Sequence, residues 1–204
     1  MRKIPRELEN PVDNICIDIG DYFSEIFYKL GFSANGLTGV SLILGIISIY
    51  YYIKKDYLKS SIFFFISYMF DCFDGFFARK YNMVSNFGDA FDHFRDITIN
   101  LIIFYLIFIK YWSIGGWKSY LPFIVLIFVI MMEIQIGCQE MYANNNNQNG
   151  NKFLSYIKYL CPKENKKDVI NIMKMTRYFG TGSYTVYMLF LILYSYNIDN
   201  IVKK

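Results

Sequence analysis

The sequence predicts an all-α integral membrane protein, a bundle of about five to six transmembrane helices preceded by an interfacial amphipathic helix. Three observations carry that prediction. The 204 residues are 54% hydrophobic and 20% aromatic but only 19% charged, below the roughly 25% charged residues of an average soluble domain. The apolar residues gather into runs near the length of about 20 that crosses a hydrocarbon core. Tyrosine and tryptophan cluster at the ends of those runs, at Tyr50, Tyr51, Tyr52, Trp112 and Trp117, as an interfacial belt does. The length fits a single domain over residues 1–204. The net charge of +4 suits an anionic membrane surface and is too small and dispersed to indicate nucleic acid as a partner.

At the amino terminus, Arg2, Lys3 and Arg6 are followed by Glu7, Glu9 and Asp13, and no clean apolar core begins before residue 37. That pattern argues against a cleaved signal peptide and for insertion through the chain's own helices. Over residues 12–31, Ile15, Ile19, Tyr22, Phe23, Ile26, Phe27 and Leu30 recur at helical spacing, with Asp13, Asp18, Asp21, Glu25 and Lys29 between them. A helix so charged cannot span a bilayer and is expected to lie in its interface; the alternative is packing against a soluble partner. The bundle is read over residues 34–197, from apolar stretches at about 37–53, 57–78, 92–113, 119–139 and 178–197. The second and third are apolar at one end and rich in aspartate at the other. Residues 168–177 are too short and polar to make a sixth span.

Residues 139–177 read as a polar cytoplasmic loop. Asn144 to Asn149 form a low-complexity tract ending at Gly150. Lys152, Lys158, Lys163, Lys166, Lys167, Lys174 and Arg177 make the segment basic, which orients it to the cytoplasm. Counting back through the spans brings the aspartate-rich ends to the same side, although Lys54, Lys55 and Lys59 fall on the other. The four cysteines, Cys16, Cys72, Cys138 and Cys161, have no CxxC spacing. They indicate neither a zinc knuckle nor a redox pair, and are read as small buried residues.

The chemistry concentrates in residues 70–96, FDCFDGFFARKYNMVSNFGDAFDHFRD. Carboxylates beside apolar runs are costly and need a partner or a purpose. Asp71 and Asp74 are three apart and Asp92 and Asp96 four apart, so each pair shares one helix face. Gly88, four before Asp92, leaves room on that face for a close approach. Two helices with two carboxylates each form an all-oxygen pocket, the donor set that Mg²⁺ or Mn²⁺ prefers. The plainer alternative is helix capping or pairing with surface Lys and Arg.

Read in order, Asp71, Asp74, Gly75, Ala78, Arg79, Gly88, Asp92 and Asp96 resemble, at every fixed position and spacing, the signature of the CDP-alcohol phosphotransferases. Asn35 and Thr38 in Ala34-Asn35-Gly36-Leu37-Thr38 resemble the Asn-x-x-Thr turn that opens the first span in that family. The resemblance implies a two-metal centre of Mg²⁺ or Mn²⁺ on Asp71, Asp74, Asp92 and Asp96, with Asp96 also the general base. It implies that Gly75, Ala78, Arg79, Ser85, Gly88, Asn35 and Thr38 contact the CDP-linked donor. It also implies six spans, of which residues 168–177 do not supply the sixth, so the missing wall would call for a second subunit and a homodimer is expected. The expected reaction transfers a phosphatidyl group from CDP-diacylglycerol to a polar alcohol, with inositol a candidate, and releases CMP. Ala78-Arg79-Lys80-Tyr81-Asn82 resembles the phosphatidylinositol synthases. Phe91-Asp92-His93 instead resembles enzymes that move phosphocholine or phosphoethanolamine to diacylglycerol, and there His93 is a candidate base; otherwise it is a helix-interface residue. Lys174 and Arg177 are either ordinary positive-inside charge or contacts for an acceptor phosphate. Two rivals stand outside the enzyme class: an inactive scaffold of the same fold, and a cation channel. Metal-dependent CMP release separates the enzyme from both.

Overall fold

The computed structural model describes residues 2–145 and 154–202, and among them every regular element is helical. Each helix starts where the sequence offers a cap. α1 (Pro11–Lys29) begins with Asn10, whose side chain accepts from the Val12 N–H, and has proline in the first turn, where no amide proton is needed. α2 (Ala34–Ile53) is capped by Ser33, α3 (Tyr57–Lys80) by Asp56 and α4 (Asn86–Trp112) by Ser85. Each of these side chains satisfies an otherwise orphaned amide. The tight turns entering α3 and leaving it use left-handed residues, Lys55 at φ 63° and Asn82 at φ 56°. A 3-10 segment at Trp117–Phe123 leads into α5 (Ile124–Asn145), and α6 (Lys166–Thr176) precedes α7 (Thr181–Val202).

α2 and α3 form an antiparallel hairpin with a seam of small residues. Ser41 Oγ donates to the Ser67 carbonyl at 2.6 Å, Ser67 Oγ to the Ser41 carbonyl at 2.8 Å, and Ser48 Oγ to the Ser60 carbonyl at 2.9 Å. All four serines are buried. Small residues let two backbones approach, and hydroxyl-to-carbonyl bonds hold them there. α4 packs beside α2 through Ile99, which leans over Gly45. Tyr52, Ile99, Ile103, Ile107, Tyr111, Met188, Leu191 and Ile192 form the central core of α2, α4 and α7.

Among the described residues, three segments are long and apolar enough to cross a membrane: Ala34–Ile53, Tyr57–Lys80 and Trp117–Ala143. α4 and α7 have the length, but α4 carries Arg95, Asp96 and Lys110 and α7 is diluted by Tyr, Ser and Asn. The outward faces are nonetheless apolar. Ile43, Ile46, Leu101, Tyr105, Ile127, Ile130, Phe190 and Leu193 are all exposed, a surface that water would penalise.

α1 meets the bundle with the face opposite to its apolar stripe. Asp13, Asn14, Cys16, Ile17, Gly20 and Ser24 are buried, whereas Ile15, Ile19, Tyr22, Phe23, Ile26 and Leu30 are exposed. Gly20 permits this docking, since a Cβ there would stand 2.6 Å from the Phe73 ring.

Two readings of the sequence change. Residues 139–177 are not simply a loop: α5 runs on to Asn145, and α6 packs against α5 through Val169 and Met173. The hydrophobic period of α6 is diluted by lysines, which made it read as polar connection. Asn146–Asn149, Gly150 and Lys152 lie outside the described residues. Cys138 and Cys161 are not separate buried thiols but a disulfide with Cα atoms 4.7 Å apart. No spacing rule could pair residues brought together only by the return of the chain onto α5. Cys16 is a buried free thiol and Cys72 a half-buried one.

Candidate active site

The start of α2, the end of α3, the amino half of α4 and the latter half of α5 meet on one side of the bundle, through the Thr38–Asp74 bond and a cavity shared by Asp71, Asp92 and Gln135. There the carboxyl end of α3 supplies Asp71, Asp74, Gly75 and Arg79, and the amino half of α4 supplies Asp92 and Asp96. Asp71, Asp74 and Asp92 converge, each with an oxygen within 4.8 Å of the other two. Asp74 is buried, and its Oδ2 accepts from Thr38 Oγ1 at 2.5 Å. Thr38, expected from the resemblance to contact the donor, is instead bonded to a site carboxylate and orients it. Asp92 Oδ1 is buried and has no hydrogen-bond partner among the described residues. Three like charges this close, one with an orphaned oxygen, form a donor set that a divalent cation completes. The residues therefore fit a metal ion.

Asp96 stands apart from that trio. Its Oδ1 accepts from Arg95 Nη1 at 2.5 Å, and the same nitrogen reaches Asp71 Oδ1 at 2.7 Å. Arg95 Nη2 donates to Ser67 Oγ at 2.6 Å, and its side chain is only 4% exposed. Arg95 was not singled out from the sequence. The available signal was a permanent cation between two aspartates at the start of a long apolar run.

The remaining predicted site residues divide. Gly88 is approached by α2: a Cβ there would lie 2.7 Å from Asn35 Oδ1. Asn35 and Gly88 are thus brought together, and Ser85 caps α4 through the Gly88 amide. Gly75 and Arg79 line a polar cavity with the aspartates, and Ala78 packs in the cluster beneath it. His93 lines a second cavity instead. Neither Lys174 nor Arg177 lines either cavity; Lys174 is exposed, and Arg177 donates to the Glu7 carbonyl.

The polar cavity, of about 200 Å³, is walled opposite the aspartates by Lys3, Glu9, Asn10, Asp13, Gln135 and Gln139. The amino-terminal segment is tied there by the Lys3–Glu140 ion pair and by Ile4 and Leu8, which are buried against α5 and α6. Gln135 is buried, donates to the Leu8 carbonyl at 3.1 Å and accepts from Thr176. Gln135 and Gln139, one turn apart in an apolar stretch, were a legible signal of an inward polar stripe. Outside the spans, burial and the neighbouring Glu9 charge push the Asp13 carboxyl up to about 7. Burial likewise raises Glu9.

The second cavity, of about 540 Å³, runs between α4, α5 and α7 and is lined mainly by apolar side chains such as Phe104, Val125 and Val129. His93 and Glu133 both line it. Both cavities share Asp71, Asp96, Met132, Ile136 and Thr181, so a polar and an apolar chamber meet at the carboxylates.

A family model described as CDP-alcohol phosphatidyltransferase matches residues 32–197. No curated protein and no solved structure matches the chain.

Proposed function

The chain belongs to the CDP-alcohol phosphatidyltransferase family, integral membrane transferases of phospholipid synthesis that use CDP-linked substrates, and from that premise we propose that it transfers a phosphatidyl group from CDP-diacylglycerol to a polar alcohol. One observation carries this reading: the polar and apolar cavities meet at Asp71 and Asp96. The acyl chains of the donor suit the apolar chamber. Its cytidine diphosphate and a hydroxyl-rich acceptor suit the chamber walled by Asn10, Gln135 and Gln139.

Asp71, Asp74 and Asp92 would hold Mg²⁺ or Mn²⁺, with Asp96 completing the site in the working state. A bound divalent ion there supplies electrostatic stabilisation of the attacking and leaving oxygens. Thr38 keeps Asp74 turned inward. Gly75 leaves room for the nucleotide, Arg79 offers a fork of donors to its phosphates, and Ala78 packs in the apolar cluster next to them. Asn35, Ser85 and Gly88 shape the entry to α4. The acceptor hydroxyl attacks the phosphorus that carries the diacylglyceryl oxygen. A new P–O bond forms, the phosphoanhydride P–O bond breaks, the hydroxyl proton passes to the Asp96 carboxylate, and CMP leaves.

In the bilayer we take the whole chain as one domain. α2, α3, α4, α5 and α7 span, and the exposed apolar stripe of α1 lies in the interface. The carboxylate end faces the cytoplasm, where the basic segment before α7 is drawn. A homodimer remains the expected assembly.

A second reading has its own observation. His93 and Glu133 share the apolar cavity with Asp96, which is where the hydroxyl of diacylglycerol would arrive. Transfer of phosphocholine or phosphoethanolamine to diacylglycerol would then use His93 as the base, a residue suited to proton transfer near neutral pH.

The test is transfer by purified protein in lipid with Mg²⁺ or Mn²⁺. One arm offers CDP-diacylglycerol with polar alcohols, and the other offers CDP-choline or CDP-ethanolamine with diacylglycerol. Phospholipid and CMP in the first arm are expected. Product only in the second selects the alternative, and no CMP in either, from folded metal-bound protein, leaves the inactive scaffold.

A further inference from the structure

We propose that Arg95 is a built-in cation occupying the second cation position of the carboxylate site, so that the nucleotide-free protein binds one divalent ion and not two. The inference rests on the metal-site reading above and concerns how many ions that site takes.

Four carboxylates approach one another at the ends of α3 and α4, but only three share a site. Asp71, Asp74 and Asp92 have oxygens within 4.8 Å of one another, and Asp96 is not part of that group. What lies between Asp96 and Asp71 is the guanidinium of Arg95. A single nitrogen, Nη1, reaches Asp71 Oδ1 at 2.7 Å and Asp96 Oδ1 at 2.5 Å. Arg95 thus sets a positive charge between these two carboxylates, where it opposes the entry of a second cation.

The guanidinium is held firmly there. Nη2 donates to Ser67 Oγ at 2.6 Å, and Ser67 is itself fixed in the α2–α3 seam by its bond to the Ser41 carbonyl at 2.8 Å. The residue is 3% exposed, so water cannot replace what it would lose by moving. Arginine does not deprotonate at working pH, which makes this charge permanent. A second divalent ion would have to share two carboxylate oxygens with a buried cation or expel it, and like charges at such range repel strongly in a low dielectric. The unpartnered Asp92 Oδ1 belongs to the three-aspartate group and not to the Arg95 contacts. The first ion therefore belongs to Asp71, Asp74 and Asp92. A second can enter only when something draws Arg95 away or adds negative charge, as a diphosphate does.

The experiment counts Mn²⁺ bound per chain by the full-length protein in lipid nanodiscs without nucleotide, by calorimetry and by electron paramagnetic resonance. Wild type is expected to bind one ion with a magnetically isolated signal. Arg95→Gln, which removes the charge and keeps a polar group, is expected to gain a second site tighter by about tenfold or more, with the spin coupling of a bridged pair. Arg95→Lys, which keeps a cation, is expected to stay at one. Two coupled ions in nucleotide-free wild type would overturn the proposal whatever the variants do, as would a folded Arg95→Gln that still binds one. No ion in wild type removes the metal-site reading itself, a distinct failure.

Discussion

Asp96 and His93 are the two residues proposed as the base, and substitution separates them. Asp96→Asn should retain the fold and lower transfer by at least about a hundredfold, the scale of losing one preorganised polar group at a reacting centre. His93→Ala should leave phosphatidyl transfer near wild type and impair only transfer to diacylglycerol; full activity in Asp96→Asn, measured as CMP release, would remove the assigned base. Thr38 acts through Asp74, to which it donates at 2.5 Å. Thr38→Val keeps the shape and deletes the proton, so Mn²⁺ affinity should weaken by about 10- to 100-fold, as for other supporting contacts to metal ligands. Thr38→Ser should restore it. Unchanged affinity in Thr38→Val would make the bond structural only. Asp13 gives a pH prediction. Its carboxyl is raised from 3.8 to about 7 by burial and by Glu9, so the folded protein holds that proton more tightly than the unfolded chain. The stability it contributes is complete below about pH 4 and is lost as pH rises towards 7. The melting temperature in detergent should therefore fall more steeply between about pH 5 and about pH 7.5 in wild type than in Asp13→Asn. Parallel profiles would mean that Asp13 is ionised at no cost.

Among the elements, the amino-terminal segment depends on Gly182, where α7 presents no side chain to it. Asn10 Nδ2 donates to Ser183 Oγ at 2.9 Å and to the Arg177 carbonyl at 2.6 Å. At Gly182 a Cβ would lie 2.6 Å from both Asp13 Oδ1 and Val12 Cβ. Gly182→Ala should thus cost about 1–3 kcal/mol, the usual penalty for forcing atoms into a filled space. It should also loosen the wall that Glu9, Asn10 and Asp13 give the polar cavity. Limited proteolysis near the amino terminus would read this directly, and a wild-type cleavage rate in Gly182→Ala would contradict the contact. The apolar stripe of α1 was legible from its spacing. Its opposite face was not, because Asp13, Gly20 and Ser24 look like solvent positions until Tyr68, Phe73 and Lys80 meet them.

Across the whole molecule, the bundle is fastened at both ends. The aspartates and Arg95 join α3 and α4 at the site. At the far end Lys110 reaches Asp199 at 2.5 Å and also donates to Tyr57, while Tyr57 donates to Asp199 at 2.5 Å. This ties α3, α4 and α7 around the core. Asp199→Ala would leave Lys110 without its counter-ion. Because the pair is 15% and 20% exposed, the loss should fall at or below the low end of the roughly 3–5 kcal/mol seen for fully buried pairs. The double substitution Lys110→Met with Asp199→Leu should recover most of it. Thermal unfolding in detergent checks both, and a neutral Asp199→Ala would make the clasp a surface pair.

The sequence by itself determined the helical membrane class, because apolar run length and aromatic belts are local properties. It also determined the two carboxylate pairs, Asp71 with Asp74 and Asp92 with Asp96, because residues three or four apart share a helix face wherever the helix goes; that three of the four converge while Asp96 stands apart was not legible there. Only the tertiary structure decided that Asp96 faces Arg95 rather than the other aspartates, that the amino terminus walls the polar cavity, and that Cys138 meets Cys161. Each of these joins residues on different elements or turns on which side chain fills a shared space. Helical period does not encode such choices; close packing between elements settles them.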